Sequence, residues 1–227
     1  MSLSLEEYQS GQVFLIDKPL EWSSFQAVNK MKHAIKRKFD IRKIKIGHAG
    51  TLDPMATGLL IICSGKATKT IQGIQDTDKE YTGIIKLGEV SASYDSEGPF
   101  TETCDYIHVT ENLILKTTEQ FKGDIMQTPP IFSALKKDGK PLYEYARAGE
   151  EVEIKQRAVR IDTFEITKID LPDIHFRIAC TKGTYIRSIA HDFGKAMHTG
   201  SYLSALRRTK IGNYNVHDAT LVTDWEV

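Results

Sequence analysis

One acidic residue in this sequence, Asp53, is flanked by residues that control the backbone on both sides of it. It lies in the segment 47–60, which reads GHAGTLDPMATGLL. The glycines allow close approach of the backbone to other groups, and Pro54 restricts the turn after the acid. An ionised carboxylate can attack a sugar or base carbon without a metal or a cofactor. Aspartates at turns more often serve only to hydrogen-bond the backbone of the turn. The degree of backbone control here nevertheless predicts a nucleophile.

A second signal ends at Arg187, after the run CTKGTYIR over residues 180–187. The pattern takes a strand through a glycine turn into the first turn of a helix. An arginine close to Asp53 would lower the pKa of that acid and keep it ionised. Helix N-termini favour acids, so an arginine at this position indicates that another group requires its positive charge. The alternative is an exposed arginine paired with Asp192.

Two further segments carry side chains suited to a nucleobase or a phosphate. Tyr81 begins a predicted strand, where it can stack on a base and offer its hydroxyl for proton transfer. The alternative is a core tyrosine with its hydroxyl at the surface. In the run Leu206-Arg207-Arg208, the leucine can press on a base and the arginines can bind phosphates. The alternative for this run is a solvated helix end.

The strongest basic segment, residues 30–45, contains eight lysines and arginines with Asp40 as the only acid. Its centre is Lys36-Arg37-Lys38, and it leads directly into the Asp53 segment. A charged helix face is often only soluble surface, but this one-sided charge favours RNA phosphate contact.

The hydrophobic pattern predicts an α+β protein with a mixed sheet, as a single domain over residues 1–227. A helix after Ser23 or Ser24 has Phe25, Val28, Met31 and Ile35 on its apolar face. Residues 152–169 read as strand, turn and strand, and residues 211–216 as a last short strand. The other predicted elements are strands at 13–16, 59–62, 79–87 and 174–180, and helices at 109–121, 141–145 and 186–197.

Composition narrows the function classes. The chain has 227 residues and a formal net charge of zero, which argues against a generally cationic nucleic-acid binder. Three separated cysteines and no apolar leader predict a cytoplasmic protein with reduced thiols. The seven histidines show no metal-ligand spacing, and no apolar run is long enough for a membrane span. Gly65-Lys66 lacks the rest of a phosphate loop.

Several motifs, in order, resemble the TruB family of tRNA pseudouridine synthases over nearly the whole chain. Besides the segments above, the matching runs are LIDKP at 15–19, GKATK at 65–69, KEY at 79–81, PPIFSALK at 129–136, GKPLY at 139–143 and LRRT at 206–209.

The resemblance implies a bacterial enzyme that isomerises the uridine at position 55, in the T-arm of tRNA, to pseudouridine by base flipping. It implies a pseudouridine synthase fold with a mainly antiparallel sheet, flanking helices and a central catalytic cleft. Asp53 is expected to be the nucleophile, Tyr81 to stack on the base, and Arg187 to pair with Asp53. The expected substrate- and RNA-binding residues are His48, Lys18, Lys66, Tyr185, Leu206, Arg207, Arg208, Lys36, Arg37 and Lys38.

The reaction involves no redox change and no hydrolysis, so no cofactor and no metal are expected. We expect a monomer that acts on tRNA without an obligate protein partner, and no C-terminal PUA domain within residues 1–227. Three other functions remain open. They are an RNA-binding module without turnover, a nucleoside hydrolase, which usually needs two facing carboxylates, and an assembly partner that works with guide RNA.

Overall fold

The computed structural model describes residues 3–227. Its α-helices are α1 Leu5–Ser10, α2 Ser24–Lys38, α3 Ile71–Gln75, α4 Glu111–Glu119, α5 Leu142–Ala148 and α6 Ile186–Ala196. Its strands are β1 Val13–Lys18, β2 Ile46–His48, β3 Ala56–Ser64, β4 Lys79–Leu87, β5 Glu89–Ser91, β6 Phe100–Thr103, β7 Gly123–Gln127, β8 Lys136–Lys137, β9 Lys140–Pro141, β10 Arg157–Asp170, β11 Asp173–Cys180, β12 Ser201–Ile211, β13 Tyr214–Asn215 and β14 Thr220–Leu221. Two short 3₁₀ turns cover Gly65–Thr70 and Val216–Asp218.

The chain folds as two compact units, whose boundaries fall inside β4, after Tyr81, and inside β12, before Leu206. The first unit contains the residues up to Tyr81 and Leu206–Val227, and the second contains Thr82–Ala205. The pairing is mixed and mainly antiparallel, which confirms the predicted fold class. Whether both units form one catalytic domain stays a prediction, because compactness alone does not say what folds independently.

In the first unit, the strand order is β14-β1-β3-β12, with β2 paired to β3 and β13 to β12. The central strand β3 is almost entirely buried, as its continuous apolar run requires. One face packs Leu59, Ile61 and Cys63 against Ile74 and Ile211. The loop that carries Asp53 leads directly into β3 and is therefore anchored at that end by this core.

In the second unit, the strand order is β4-β11-β10-β7. β11 alternates strictly between buried and half-buried residues, as its sequence predicts. Phe164 packs against Phe193 at a centroid distance of 5.4 Å and against Phe176 at 6.2 Å. Phe193 belongs to α6, so this aromatic cluster anchors the helix that begins beside Tyr185 and Arg187.

The structure corrects several predicted elements. Residues 152–169 do not form two strands, because β10 is one strand whose register shifts at two places interrupt the alternation. The last predicted strand, over 211–216, is only partly present: β12 ends at Ile211, β13 covers Tyr214–Asn215, and Val216 begins a 3₁₀ turn. The run 206–210 lies inside β12 and not at a helix end. No helix among residues 3–227 has the length and apolarity that a membrane crossing needs.

The apolar face of α2 also differs from the prediction. The helix begins after Ser23, whose side chain accepts from the Gln26 N–H while the Gln26 side chain bonds the Ser23 N–H. Val28, Met31 and Ile35 are buried as predicted, but Phe25 is 68% exposed. Ser24 is buried in its place, because its hydroxyl bonds the backbone of the Asp53 loop.

Candidate active site

Asp53 occupies the first position of a tight turn that leads into β3. The Ala56 N–H donates to the Asp53 carbonyl at 3.0 Å, and Pro54 supplies the fixed φ of the second position. Leu52 and Met55 on either side are buried, whereas Asp53 is half-buried. The turn therefore places a half-buried carboxylate between two buried apolar side chains.

The glycine after this turn permits a close contact between strands. Gly58 has a φ of 101° and pairs with Arg208 where β3 and β12 run parallel. A Cβ at Gly58 would lie 2.3 Å from the Arg208 carbonyl oxygen. Only glycine fits this approach, which brings the backbone of Arg208 directly against the strand that follows Asp53.

The Arg208 side chain supports the Asp53 loop from below. Its Nε donates to the Leu59 carbonyl at 2.8 Å, and its Nη1 and Nη2 donate to the Thr51 and Gly50 carbonyls at 3.3 and 3.1 Å. The residue is 2% exposed. A buried guanidinium has five N–H donors to satisfy, and three backbone carbonyls satisfy part of that demand here.

Tyr81 and Asp53 also interact with Arg208. A side-chain hydrogen bond joins Tyr81 to the guanidinium, and the charge of Asp53 attracts it. Burial lowers the pKa of Arg208, and Tyr81 and Asp53 oppose that shift. Tyr81 is 9% exposed. The structure thus brings two predicted catalytic residues, Asp53 and Tyr81, around one buried cation of the same unit.

His48 ends β2, immediately before the loop. Its pKa lies below the ordinary value, mainly because of burial and further because of the nearby Arg208 charge, against a backbone hydrogen bond at Gly50 that raises it. Its Nδ1 is buried and has no hydrogen-bond partner. A neutral imidazole beside the loop can donate or accept one hydrogen bond with a polar ligand.

Three residues of this unit that were predicted to bind RNA use their side chains for hydrogen bonds within the protein. Lys18 is fully buried, and its Nζ donates to the Pro19 and Trp22 carbonyls at 2.9 and 2.5 Å. Both amino groups of Arg207 bond the Asp17 carboxylate, at 3.0 and 2.6 Å. Arg208 lies in the interior, so the expected surface patch at 206–208 is smaller than the sequence suggested. Leu206 is half-buried and pairs with Ala56.

Arg187 lies in the second unit, in the first turn of α6, and is 6% exposed. Its Nη1 lies 3.2 Å from the Asp95 carboxylate, and its amino groups also donate to the Ser93 and Phe132 carbonyls at 3.2 and 3.0 Å. Within its own unit its carboxylate partner is therefore Asp95, not the Asp192 considered from the sequence. Its pairing with Asp53 stays a prediction.

Tyr185 caps the same helix and is held from two sides. The Gln127 side chain accepts from the Tyr185 N–H at 2.8 Å and donates to its carbonyl at 3.0 Å. The Arg157 guanidinium lies 4.6 Å from the centre of the tyrosine ring. The ring is thus fixed in orientation, as a surface for stacking must be.

The remaining predicted RNA ligands are surface cations. Lys66 lies exposed in the 3₁₀ turn after β3, and Arg37 and Lys38 are exposed in the last turn of α2. Lys36 is half-buried, and Lys38 Nζ donates to the Val227 carbonyl at 2.5 Å. Cations at a helix C-terminus also favour the helix dipole, so their position alone does not require a ligand.

Sequence reasoning missed Asp95, which faces Arg187, and Asp17, which faces Arg207. It also read Ser24 only as a possible cap, although its hydroxyl binds the loop. None of these residues is adjacent in sequence to its partner, and although Asp17 lies in the LIDKP run, that run does not indicate which residue Asp17 faces. Among residues 3–227, no cluster of histidine, cysteine, aspartate or glutamate could hold a metal ion.

Comparisons with known proteins agree on one family. Residues 36–186 match the model of the TruB family pseudouridylate synthase, N-terminal domain. A Flavobacterium johnsoniae protein named tRNA pseudouridine synthase B is 59% identical over 222 residues, covering 97% of each chain. A protein of the same name from Phocaeicola vulgatus is 46% identical over 215 residues, covering 95% of this chain and 92% of its own.

Solved structures share the fold. The chain aligns with a chain of a Cbf5-Nop10-Gar1 complex at a TM-score of 0.70 and 28% identity. It aligns with a chain of an H/ACA RNP bound to a substrate RNA containing 2'-deoxyuridine at 0.69 and 25%. These alignments cover 96% and 98% of this chain but 54% of each matched chain, so this chain spans about half the length of these structural relatives.

Proposed function

The chain belongs to the TruB family of pseudouridylate synthases, and on that premise we propose that it isomerises the uridine at position 55 of tRNA to pseudouridine. The substrate is the T-arm stem-loop. The observation that supports this function best is the arrangement of Asp53 and Tyr81 around the buried guanidinium of Arg208. It places an acid, a phenol and a fixed positive charge at one loop.

The reaction needs one bond exchange. The C1′–N1 glycosidic bond of the uridine breaks, the base turns, a C1′–C5 bond forms, C5 loses its proton and N1 gains one. The base must first leave the folded T-loop to reach a protein carboxylate. Attack of Asp53 at C1′, attack at C6, and removal of a sugar proton to give a glycal each begin at this carboxylate.

We assign the surrounding residues as follows. Tyr81 stacks on the extruded base and assists proton transfer, and His48 binds flipped nucleotides as a neutral imidazole. Arg208 acts through the loop and through Tyr81, so it is a positioning residue. In the second unit, Arg187 pairs with Asp53 in the complex, and Tyr185 offers its fixed ring to the substrate.

The proposal extends to the partner and the place of action. We propose that the purified chain acts as a monomer in the cytoplasm, with no obligate protein partner. Turnover of a T-arm hairpin by the chain alone would support this. Activity that appears only after a second protein is added would contradict it.

The central test is Asp53→Asn. We expect turnover to fall by at least about a thousandfold, since the nucleophile is gone, while the dissociation constant for a T-arm hairpin stays within about threefold. Tritium release from C5-labelled uridine measures turnover.

Asp218→Asn is the matched control, because that acid of the same unit is exposed and outside the loop. It should retain full activity. Full activity in Asp53→Asn would remove Asp53 from the chemistry.

A further inference from the structure

The segment that leads into α2 exposes two apolar side chains, and one of them, Phe25, was predicted to lie on the apolar face of the helix. Phe25 is 68% exposed and Leu20, just before the helix, is 55% exposed. A single exposed apolar residue needs no explanation. These two, however, lie on one short segment that is bonded to the Asp53 loop on both sides of the acid.

Two sets of hydrogen bonds to the backbone of the loop make that connection. The Leu52 N–H donates to Ser24 Oγ at 2.8 Å, and Ser24 Oγ donates to the Leu52 carbonyl at 3.1 Å. The Glu21 N–H donates to the Pro54 carbonyl at 2.9 Å. The residues directly before and after Asp53 are thus tied to the segment that ends at Phe25.

The segment is also held by hydrogen bonds of its own. Lys18, fully buried, bonds the Pro19 and Trp22 carbonyls and so closes the turn that carries Leu20. The capping box at Ser23 then fixes where α2 begins. Phe25 is therefore an exposed ring on a fixed support, which lowers the entropy cost of stacking a ligand on it.

Two cations continue the line of Phe25 along α2. At 100° per residue, Lys32 and Lys36 lie within about 20° of Phe25 around the helix axis, and about 10 and 16 Å farther along it. Both lysines are half-buried. The stripe therefore runs from an aromatic ring, on the segment bonded to the Asp53 loop, to positive charges farther along α2.

We propose that this stripe, the Phe25 platform formed by Leu20, Phe25, Lys32 and Lys36, binds the substrate RNA next to the target nucleotide. An unpaired base adjacent to the extruded uridine stacks on the Phe25 ring. The phosphates that follow that base along the strand bind Lys32 and Lys36. This inference rests on the proposed function and names a further part of its substrate site.

RNA fits this surface better than a protein does. A stacked base needs one exposed ring face, whereas a stable protein interface buries more than about 1,000 Å² in total. The cations in line with the ring complement a phosphodiester chain. Stacking also depends little on which base is present, and this suits an enzyme that must accept many tRNAs.

The test compares Phe25→Ala, Phe25→Trp and the unaltered chain on a T-arm hairpin. We expect Phe25→Ala to weaken RNA binding and raise KM by about tenfold, since base stacking has that worth, with kcat at saturating RNA nearly unchanged. Phe25→Trp should retain affinity, and its fluorescence should be quenched when the hairpin binds.

Phe100→Ala is the matched control, because it also removes an exposed phenylalanine, 48% exposed, but in the second unit. It should leave KM unchanged. Lys32→Ala should make the salt dependence of binding shallower by about one unit in the slope of log K against log salt concentration.

Hairpins with an abasic site on either side of the target uridine locate the stacked base. One of them should lose about tenfold affinity for the unaltered chain and none for Phe25→Ala. The platform is refuted if Phe25→Ala matches the unaltered chain on an active hairpin, which would leave this face to another partner. A chain that turns over no T-arm hairpin at all would instead refute the proposed function.

Discussion

Two buried arginines, one in each unit, meet different partners. Arg187 in the second unit lies 3.2 Å from the buried Asp95 carboxylate and also donates to two carbonyls. Arg208 in the first unit is held by three backbone carbonyls. One cation is matched by a full negative charge, and the other mainly by dipoles.

The difference separates two ways of using a buried charge. An arginine paired with a carboxylate in its own unit fixes local structure, and removal of either partner leaves an uncompensated charge. The charge of an arginine held by carbonyls is not neutralised by an adjacent carboxylate, so it acts more strongly on Tyr81 and Asp53. We therefore expect stability effects to dominate at Arg187 and effects on catalysis to be clearest at Arg208.

The largest expected effect is at the ion pair of the second unit. Arg187→Met leaves Asp95 buried without its cation and should lower the free energy of unfolding by about 3–5 kcal/mol. In a double-mutant cycle with Asp95→Asn, the two losses should not add, because both remove the same pair. Urea denaturation measures each free energy.

A second cycle, Arg187→Met with Asp53→Asn, tests the pairing that the sequence predicts. If the coupling free energy of Arg187 with Asp53 exceeds that with Asp95, then Asp53 and not Asp95 is the main partner of Arg187. The absence of any coupling with Asp95 would show that the pair contributes nothing to folding.

The next effect is on turnover, at Arg208. Arg208→Lys keeps the charge but lacks the planar fork that reaches three carbonyls, so we expect kcat to fall by about 10- to 100-fold. Arg208→Met should fall further, and the lysine variant should restore part of the loss. KM for the hairpin should change little, as measured in the tritium-release assay.

The control for lost stability is Phe164→Leu, a core substitution in the second unit. It should lower the free energy of unfolding with little change in kcat. If Arg208→Lys and Phe164→Leu change kcat equally, Arg208 only supports folding.

A smaller effect distinguishes exposed cations from the buried arginines. Changing Lys36, Arg37 and Lys38 together to alanine should weaken RNA binding and make the slope of log K against log salt concentration shallower by about two to three units. Arg208→Lys should leave that slope unchanged. A triple variant in the second unit, with alanine at Lys122, Arg160 and Lys168, serves as the control, and an equal change there would assign no special role to α2.

The smallest effect concerns pH in the second unit. His191, stacked on Tyr94 at 3.9 Å, has its pKa lowered to about 4, mainly by burial and then by Lys195. A folded-state pKa below the ordinary 6.5 means that stability is complete above that pH and is lost as the pH falls toward 4. Because the ring is partly exposed, we expect a loss of only about 1 kcal/mol.

Urea denaturation at pH 7 and pH 4.5 measures this loss. His191→Gln should lose less stability than the unaltered chain between those two values. An equal loss in both proteins would mean that His191 does not titrate differently in the folded state.

Local pattern was sufficient for most elements. Alternation over residues 174–180 predicted β11, and the helical spacing of Val28, Met31 and Ile35 predicted α2. Pattern failed where a tertiary contact replaced a periodic one. Phe25 fits the apolar period of α2, but the hydroxyl of Ser24 bonds the Leu52 backbone and turns the helix so that Phe25 faces solvent.

The candidate site was divided in the same way. The sequence predicted roles for Asp53, Tyr81 and Arg187 by type and motif, because residue chemistry and glycine spacing are local properties. It treated Arg207 and Arg208 alike, as members of one cationic patch. Their neighbours in the fold differ, since Arg207 bonds Asp17 at the edge of solvent while Arg208 is enclosed.

The sequence by itself determined the family and the turn at Asp53, and it predicted that residue as the reacting acid, because these features depend on adjacent residues. Only the tertiary structure decided which charges face which. Asp95 beside Arg187, three carbonyls beside Arg208, and Ser24 beside Leu52 are all pairs brought together by packing of distant segments. Burial sets the strength of such contacts, and burial is a property of the folded chain that no short stretch of sequence contains.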